Sequence, residues 1–575
     1  MKNKVAKLAL GSAVILTTLF ACKKSFLEAT PQGVLDENTL ANAKGLNKLL
    51  LAAYAILDGH DDALGLGGSW GASGSNFNYG SVGGGEAHKG SDPGDQYPNI
   101  GTVQRHEVES TNDATNDRWK TLYEGIKRTN IVIQILGKAS GVSDADAKNI
   151  SGQARFLRAW YHFQLRITFE KVPYIDDATD AALAAGSIES VANDTEIWPN
   201  IVADAKYAYE NLPEGQDAIG RANKWVAGAL YGKILMFSKD FATAKTVLTD
   251  VVNNGKNSLG VKFDLNTNFD DNFNVDFDNS KESVFAFQSS ANDGSNGRNG
   301  NWGDALNRPG NGVGGCCGFF NPTFYLTNSY KTDASGLPDT NPQTTTTMST
   351  WDLAGLTQYA GNVDTRLDWT VGRIGVPYHD WGTVSNAWTR DPSAGPFQPK
   401  KNVIRQSQLG KAYESSFWSA AGVTSLNINL IRFSDVILLL AEAEIEAGSL
   451  ATAFSLINRV RSRAKDSRTV SFPASLGTPK TEPYATVFAS KAEATTALRL
   501  ERKLELAMEG HRFFDLVRWG IAAQEIGSYY DYESSLPFPN IVKVPNKPTY
   551  TSGADDYYAI PQQQIDLSKG FIKQR

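Results

Sequence analysis

Residues 500–520, LERKLELAMEGHRFFDLVRWG, constrain this chain more than any other stretch. Leu500, Leu504, Ala507, Met508 and Phe514 recur at three- and four-residue intervals, the spacing of a helix with one buried face. Between them stand Glu501, Arg502, Glu505, Glu509, Arg512, Asp515 and Arg518. Opposite charges three or four apart become neighbours on a helix surface. Gly510 predicts room for another backbone, or a bend, just before the bulky Phe513, Phe514 and Trp519. Glu509, His511, Arg512 and Asp515 have the composition of a catalytic cluster, but the reading adopted is a charge network that locks two helices together.

At the N-terminus Lys2, Lys4 and Lys7 precede an apolar run, 8–20, broken only by Gly11, Ser12, Thr17 and Thr18. A charged region followed by an apolar run too short to span a bilayer comfortably reads as a signal peptide. It ends in Leu19-Phe20-Ala21-Cys22, which resembles the lipobox of bacterial lipoproteins. There the cysteine thiol receives a diacylglycerol and becomes the first residue after cleavage. Residues 1–21 are therefore the expected signal and Cys22 the lipid attachment point, since several acyl chains on one residue anchor stably. No later apolar run is long enough to cross a membrane, so attachment is expected by lipid alone. Lys+Arg 56 against Asp+Glu 62, a net charge of -6 with no basic block, argues against a nucleic-acid partner.

Helical periodicity marks 36–57 (with Asn38 as a cap), 117–136, 150–170, 197–211, 224–238 and 241–252, and again 433–447 and 450–464 around a Gly448 turn. Paired amphipathic helices with short connectors suggest tetratricopeptide-like hairpins, each needing a neighbour to cover its apolar face, in a degenerate repeat. Two stretches break the pattern. The first, 58–101, is rich in Gly, Ser, Asn and Asp yet carries Trp70, Phe77, Tyr79 and Tyr97. A loop this long is functional or disordered, and its aromatics favour function. The second, 259–427, scatters Trp302, Phe319, Phe320, Tyr325, Trp351, Trp369, Trp381, Trp388 and Trp418 through loops, with one alternating strand at 283–288. Asp270, Asn272 and Asn274 supply oxygen atoms suited to calcium, but the EF-hand glycine and glutamate are out of register, so no metal or cofactor is expected. Cys316 and Cys317 are adjacent and are expected to be reduced, because neighbouring Cα atoms sit closer than an ordinary disulfide allows; a strained vicinal disulfide shaping the loop is the alternative.

The 500–520 block resembles the C-terminal signature of the SusD/RagB family, lipid-anchored nutrient-binding proteins of the Bacteroidetes outer membrane. Other blocks agree in order: Trp119, Tyr123 and Asn130; Arg155, Phe156, Arg158, Ala159 and Tyr161 running into Val172-Pro173; Arg432, Glu442 and Ala443; Asn458, Arg461 and Arg463; and Tyr558-Ala559-Ile560-Pro561 near the end. Phe433-Ser434-Asp435 departs from the commoner Tyr-Ala-Glu. The resemblance implies a mainly α fold: a tetratricopeptide-like helical-hairpin scaffold (36–258 and 431–575) with a large loop-rich insertion (259–430) carrying short β-strands, in one domain, 22–575. It implies a non-catalytic protein that binds an oligosaccharide and delivers it to a SusC-like TonB-dependent transporter. The family's sugar site draws on the loop after the first helix and on the middle insertion, which here hold Trp70, Asn76, Phe77 and Tyr79, and Trp302, Phe319, Phe320 and Tyr325. Sugars present C–H faces to aromatic rings, so these residues are the expected ligand platform. Three alternatives stay open. One is peptide capture, as in the RagB branch, and another a scaffold that binds only protein. The third is a glycoside hydrolase, which needs two carboxylates about 5–10 Å apart across a cleft.

Overall fold

The computed structural model describes residues 37–59, 70–92, 94, 98–310, 316–349, 355–416, 422–538, 540, 542 and 546–575. The signal sequence 1–21, Cys22, Tyr97, Trp351 and Trp418 lie outside these residues. Among the described residues ten helices of thirteen residues or more carry the scaffold: α1 (Ala43–Ala55), α2 (Asp113–Leu136), α3 (Asp144–Phe169), α4 (Trp198–Asn211), α5 (Lys224–Phe237), α6 (Phe241–Asn254), α7 (Phe433–Ala447), α8 (Leu450–Asp466), α9 (Lys491–Glu505) and α10 (Ala522–Ser535). Side-chain caps decide where several begin, by accepting a backbone N–H that the first turn leaves unpaired. Asn42, not Asn38, caps α1, taking the Gly45 N–H at 3.1 Å. Asn112 and Ser143 start α2 and α3 ahead of their expected first residues. The helices Pro98–Arg105, Asp177–Ala184 and α10 were not legible in the periodicity.

Each helix covers its apolar face with the next: α1 on α2, α2 on α3, α3 on α4, α4 on α5 and α5 on α6. The chain then leaves the array for the insertion, and α7 packs directly on α6 as though nothing intervened, followed by α8 and α9. This mainly helical, tetratricopeptide-like arrangement buries one continuous core, including Phe156, Leu157, Phe163, Leu230, Ile437 and Leu438. Arg158, buried within it, donates to Asp204, Asn130 and Asp177 and so joins α3 to α2, to α4 and to the helix Asp177–Ala184.

Two antiparallel strand pairs hold the insertion. β2 (Ser283–Phe287) pairs with β4 (Ile428–Arg432) where the chain leaves and re-enters the scaffold. β1 (Ala87–Gly90) pairs with β3 (Phe319–Pro322), and so couples the segment after α1 to the middle of the insertion. A second core forms along that seam, from Phe77, Val82, Phe319, Phe320, Phe324, Tyr330, Leu504 and Met508 among others.

Residues 500–520 are not one helix. α9 stops at Glu505, Met508 and Gly510 take left-handed backbone angles (φ 66° and 76°), and a short helix resumes over Arg512–Arg518. The break follows from close backbone approach. A Cβ on Gly510 would stand 2.0 Å from the Ser75 carbonyl oxygen, so the segment 73–80 lies directly on this turn. Cys316 and Cys317 also depart from expectation: their sulfurs are bonded, with Cα atoms 3.3 Å apart.

Candidate functional site

The two aromatic segments expected to form a ligand platform do meet, but as a buried seam. Phe77 sits edge-to-face on Phe320, with ring centroids 5.3 Å apart. Tyr79 donates to the Gly71 carbonyl at 2.9 Å and lies under the Arg118 guanidinium. Trp302 donates its indole N–H to the Gly297 carbonyl at 3.0 Å. Phe77, Tyr79, Phe319 and Phe320 are each 1% exposed and Trp302 is 4% exposed, so none of the five offers a ring face to a ligand. The reason is energetic. Irregular loops lack a hydrogen-bonded lattice, and each buried large apolar side chain contributes roughly 1.5–3 kcal/mol that holds them in register. Asn76 is half-buried and donates inward to Gln164 at 3.0 Å. Tyr325 is half-buried beneath the Lys503 ammonium, 4.4 Å from its ring centre, at the α10 end of the molecule. Trp70 is half-buried at the rim of the second core.

Half-exposed rings cluster instead around a shallow cleft in the insertion, lined by Arg308, Trp381, Asn402, Val403, Ile404, Leu409, Tyr413 and Thr424. Trp381 is pinned by its indole N–H, which donates to the Ile404 carbonyl at 2.8 Å. Tyr413 lies flat on backbone: a Cβ on Gly422 would stand 2.5 Å from its ring, and Gly422 has a φ of 64° that favours glycine. Burial lowers the pKa of Arg308, an effect the neighbouring Tyr413 phenol opposes. The slot holds about 30 Å³, room for a water and far below the volume of an enclosing small-molecule pocket. The slot itself therefore has no room for a sugar ring; only its mouth does.

Behind the cleft one carboxylate ties three irregular segments together. Asp304 Oδ1 accepts from Ser75 at 3.0 Å, Asn307 at 2.7 Å and Asn402 at 2.8 Å. Burial pushes its carboxyl up to about 6, against the opposing pull of those donors. Trp381 was legible as an aromatic residue in a loop. Arg308, Asn402, Asp304 and Tyr413 carried no signal in the sequence, because nothing local marks a polar residue that contacts another loop 98 to 229 residues away.

The other candidate chemistries are occupied by ion pairs. Asp270 is taken by Arg405 and Arg468, Asp271 by Arg468, and Asp276 by Lys411 and Gln408, so arginine and lysine fill the places calcium would need. Glu509 binds Arg432 and Lys401, Asp515 binds Arg502 and Arg518, and Arg512 binds Glu525. His511 faces the Lys233 ammonium at 3.3 Å, and its pKa is lowered to about 4, first by burial and then by that charge. The network expected at 500–520 is present, but it reaches beyond two helices. Apart from Asp515 with Arg518, three residues on in the same short helix, its partners are drawn from β4, α7, α10 and the insertion.

Comparison with known proteins places this architecture. Residues 281–574, just over half of the chain, match the profile of the SusD family, and residues 84–236 match one described as starch-binding associating with outer membrane. SusD-like proteins P2 and P25 of Formosa agariphila are 25% and 23% identical over 470 and 455 residues. Each alignment covers 75% of this chain, and 80% and 76% of the respective relative. Among solved structures, a SusD-like protein from Bacteroides fragilis superposes with a TM-score of 0.67 at 17% identity, covering 95% of this chain and 99% of that one. Surface glycan-binding protein A from Bacteroides thetaiotaomicron, in complex with laminarihexaose, gives a TM-score of 0.66 at 20% identity, covering 93% and 99%. At these identities the superpositions establish a shared fold.

Proposed function

Because this chain belongs to the SusD family, we propose that it is a non-catalytic glycan receptor of the outer membrane. It is held there by lipid on Cys22 and passes oligosaccharide to a SusC-like TonB-dependent transporter. Among the described residues no helix is long and apolar enough to cross a membrane, which leaves the attachment to Cys22 in this reading. The observation that carries the binding reading is the ring-lined cleft of the insertion. Trp381 and Tyr413 supply apolar faces for sugar C–H groups, while half-buried Asn402 stands beside them as a hydrogen-bonding group for hydroxyls. The lining contains no carboxylate, whereas glycoside hydrolysis requires a pair. The similarity to a protein solved with laminarihexaose supports a glycan over a peptide.

The test is isothermal titration against laminarin- and starch-derived oligosaccharides. The unaltered protein binds at least one, and Trp381→Ala or Tyr413→Ala weakens that binding by about tenfold or more with little change in the thermal melt. Full affinity in both variants, or release of reducing sugar by the unaltered protein, defeats the reading. Cys22→Ser is expected to move the protein from the membrane fraction to the soluble fraction.

A further inference from the structure

A second cavity, of about 320 Å³, opens on the scaffold rather than on the insertion. It lies where the C-terminal ends of α3 and α5, the start of α4, the helix Arg512–Arg518 and the C-terminal segment meet. Its volume is at the lower edge of the roughly 300–1,000 Å³ of small-molecule sites. Trp198, Phe237, Phe514 and Tyr557 furnish the rings, and the Arg166 guanidinium stacks against two of them, 5.1 Å from Trp198 and 5.7 Å from Tyr557. Three cations line it, Arg166, Lys239 and Arg518, against one carboxylate, Glu196.

Two of those cations are committed. Arg166 holds Glu196 with two hydrogen bonds, at 3.0 and 2.8 Å, and Arg518 holds Glu442 and Asp515. Lys239 is exposed, and among the described residues its ammonium forms no ion pair or hydrogen bond; nor does the Trp198 indole N–H. Lys239 also occupies an unusual place. α5 ends in a turn whose Asp240 N–H returns to the Leu235 carbonyl at 3.0 Å, and such a turn demands a left-handed residue just before it. Glycine or asparagine normally fills that position, yet here Lys239 does, with a φ of 66°. A side chain kept at a strained backbone position beside a ring-lined cavity points to use of its charge.

We propose that this cavity is a second saccharide subsite, selective for sugar units that carry a negative charge. The proposal rests on the glycan-binding reading above. The rings take the sugar's C–H face, while the Lys239 ammonium and the Trp198 N–H take a carboxylate or sulfate ester. A glycan engaged here and at the insertion would gain avidity where its length spans both.

Titration calorimetry of the full mature chain, with three trisaccharides sharing one backbone (neutral, uronate-terminated and sulfated), tests it. At least one anionic form is expected to bind better than the neutral one by about tenfold, a preference that fades at high salt. Lys239→Gly is the decisive variant, because it removes the ammonium while relieving the backbone. The melt holds or rises, the anionic preference disappears, and neutral binding is unchanged. Trp198→Ala weakens the anionic sugar in parallel. Two results overturn the inference while the insertion reading stands: neutral binding with no anionic preference, or a preference that survives Lys239→Gly. A protein that binds no sugar overturns both.

Discussion

Glu505→Gln is a nearly shape-preserving change whose cost the structure allows to be estimated. Glu505 belongs to a buried, connected network of five cations, Arg366, Lys401, Arg432, Arg461 and Arg463, and five anions, Glu282, Asp364, Glu501, Glu505 and Glu509. Every side chain in it is no more than 8% exposed, and the rings of Phe269 and Phe273 lie against Lys401 and Arg432. Burial alone would raise the Glu505 carboxyl, but Arg463, Arg432 and Arg366 outweigh it and hold it well below the usual carboxylate range. The substitution leaves five buried cations facing four anions without opening a cavity. Breaking a buried pair in this way costs about 3–5 kcal/mol, a large share of the roughly 5–15 kcal/mol that holds a protein folded. Adding Arg463→Gln returns the balance to four against four. The double variant is therefore expected to be more stable than the sum of the singles by about 1–3 kcal/mol. Urea unfolding followed by fluorescence and circular dichroism measures both. A single-variant loss below about 1 kcal/mol, or strict additivity in the double, refutes the view that charge balance matters here.

Three further outcomes follow from the same geometry. Gly510→Ala places a Cβ against the Ser75 carbonyl at a φ of 76°, so it is expected to cost more than about 3 kcal/mol or to prevent folding; soluble yield and melting temperature report it. Trp302→Ala empties a buried site and is expected to cost about 3–5 kcal/mol in urea unfolding, so any loss of binding comes with a loss of stability. Asp304, raised to about 6 by burial, keeps in the folded state a proton that the unfolded chain releases near pH 4. That stabilisation is present at low pH and is lost as pH rises through 6. Asp304→Asn should therefore gain on the unaltered protein by up to about 3 kcal/mol between pH 4 and 7, as read from paired unfolding curves; a constant difference across that range rejects the assignment.

Much of the scaffold was legible because amphipathic helices write their period locally. α4 to α8 begin and end within a few residues of where the apolar spacing places them. The first helix went wrong at its cap: Asn38 and Asn42 are equally good capping residues, and only the packed chain selects Asn42. The two aromatic segments meet at Phe77 and Phe320, yet Phe77, Tyr79, Trp302, Phe319 and Phe320 are buried where a ligand platform needs exposed rings. A ring in an irregular loop gives the same signal whether it faces ligand or glues the loop down. Only the positions of neighbouring loops separate the two.

By itself, then, the chain's order of residues determined the helical frame and the family, because both rest on patterns confined to twenty or thirty consecutive positions. It also held the charges of 500–520, which had to be paired somewhere. Which charges pair, where α9 breaks, and which rings stay accessible were decided by contacts between segments far apart in the chain, such as Arg432 with Glu505, 73 residues on, or Ser75 with Gly510, at the opposite end of the fold's sequence. Burial and charge neutralisation are properties of the assembled volume, and no stretch of sequence carries them alone.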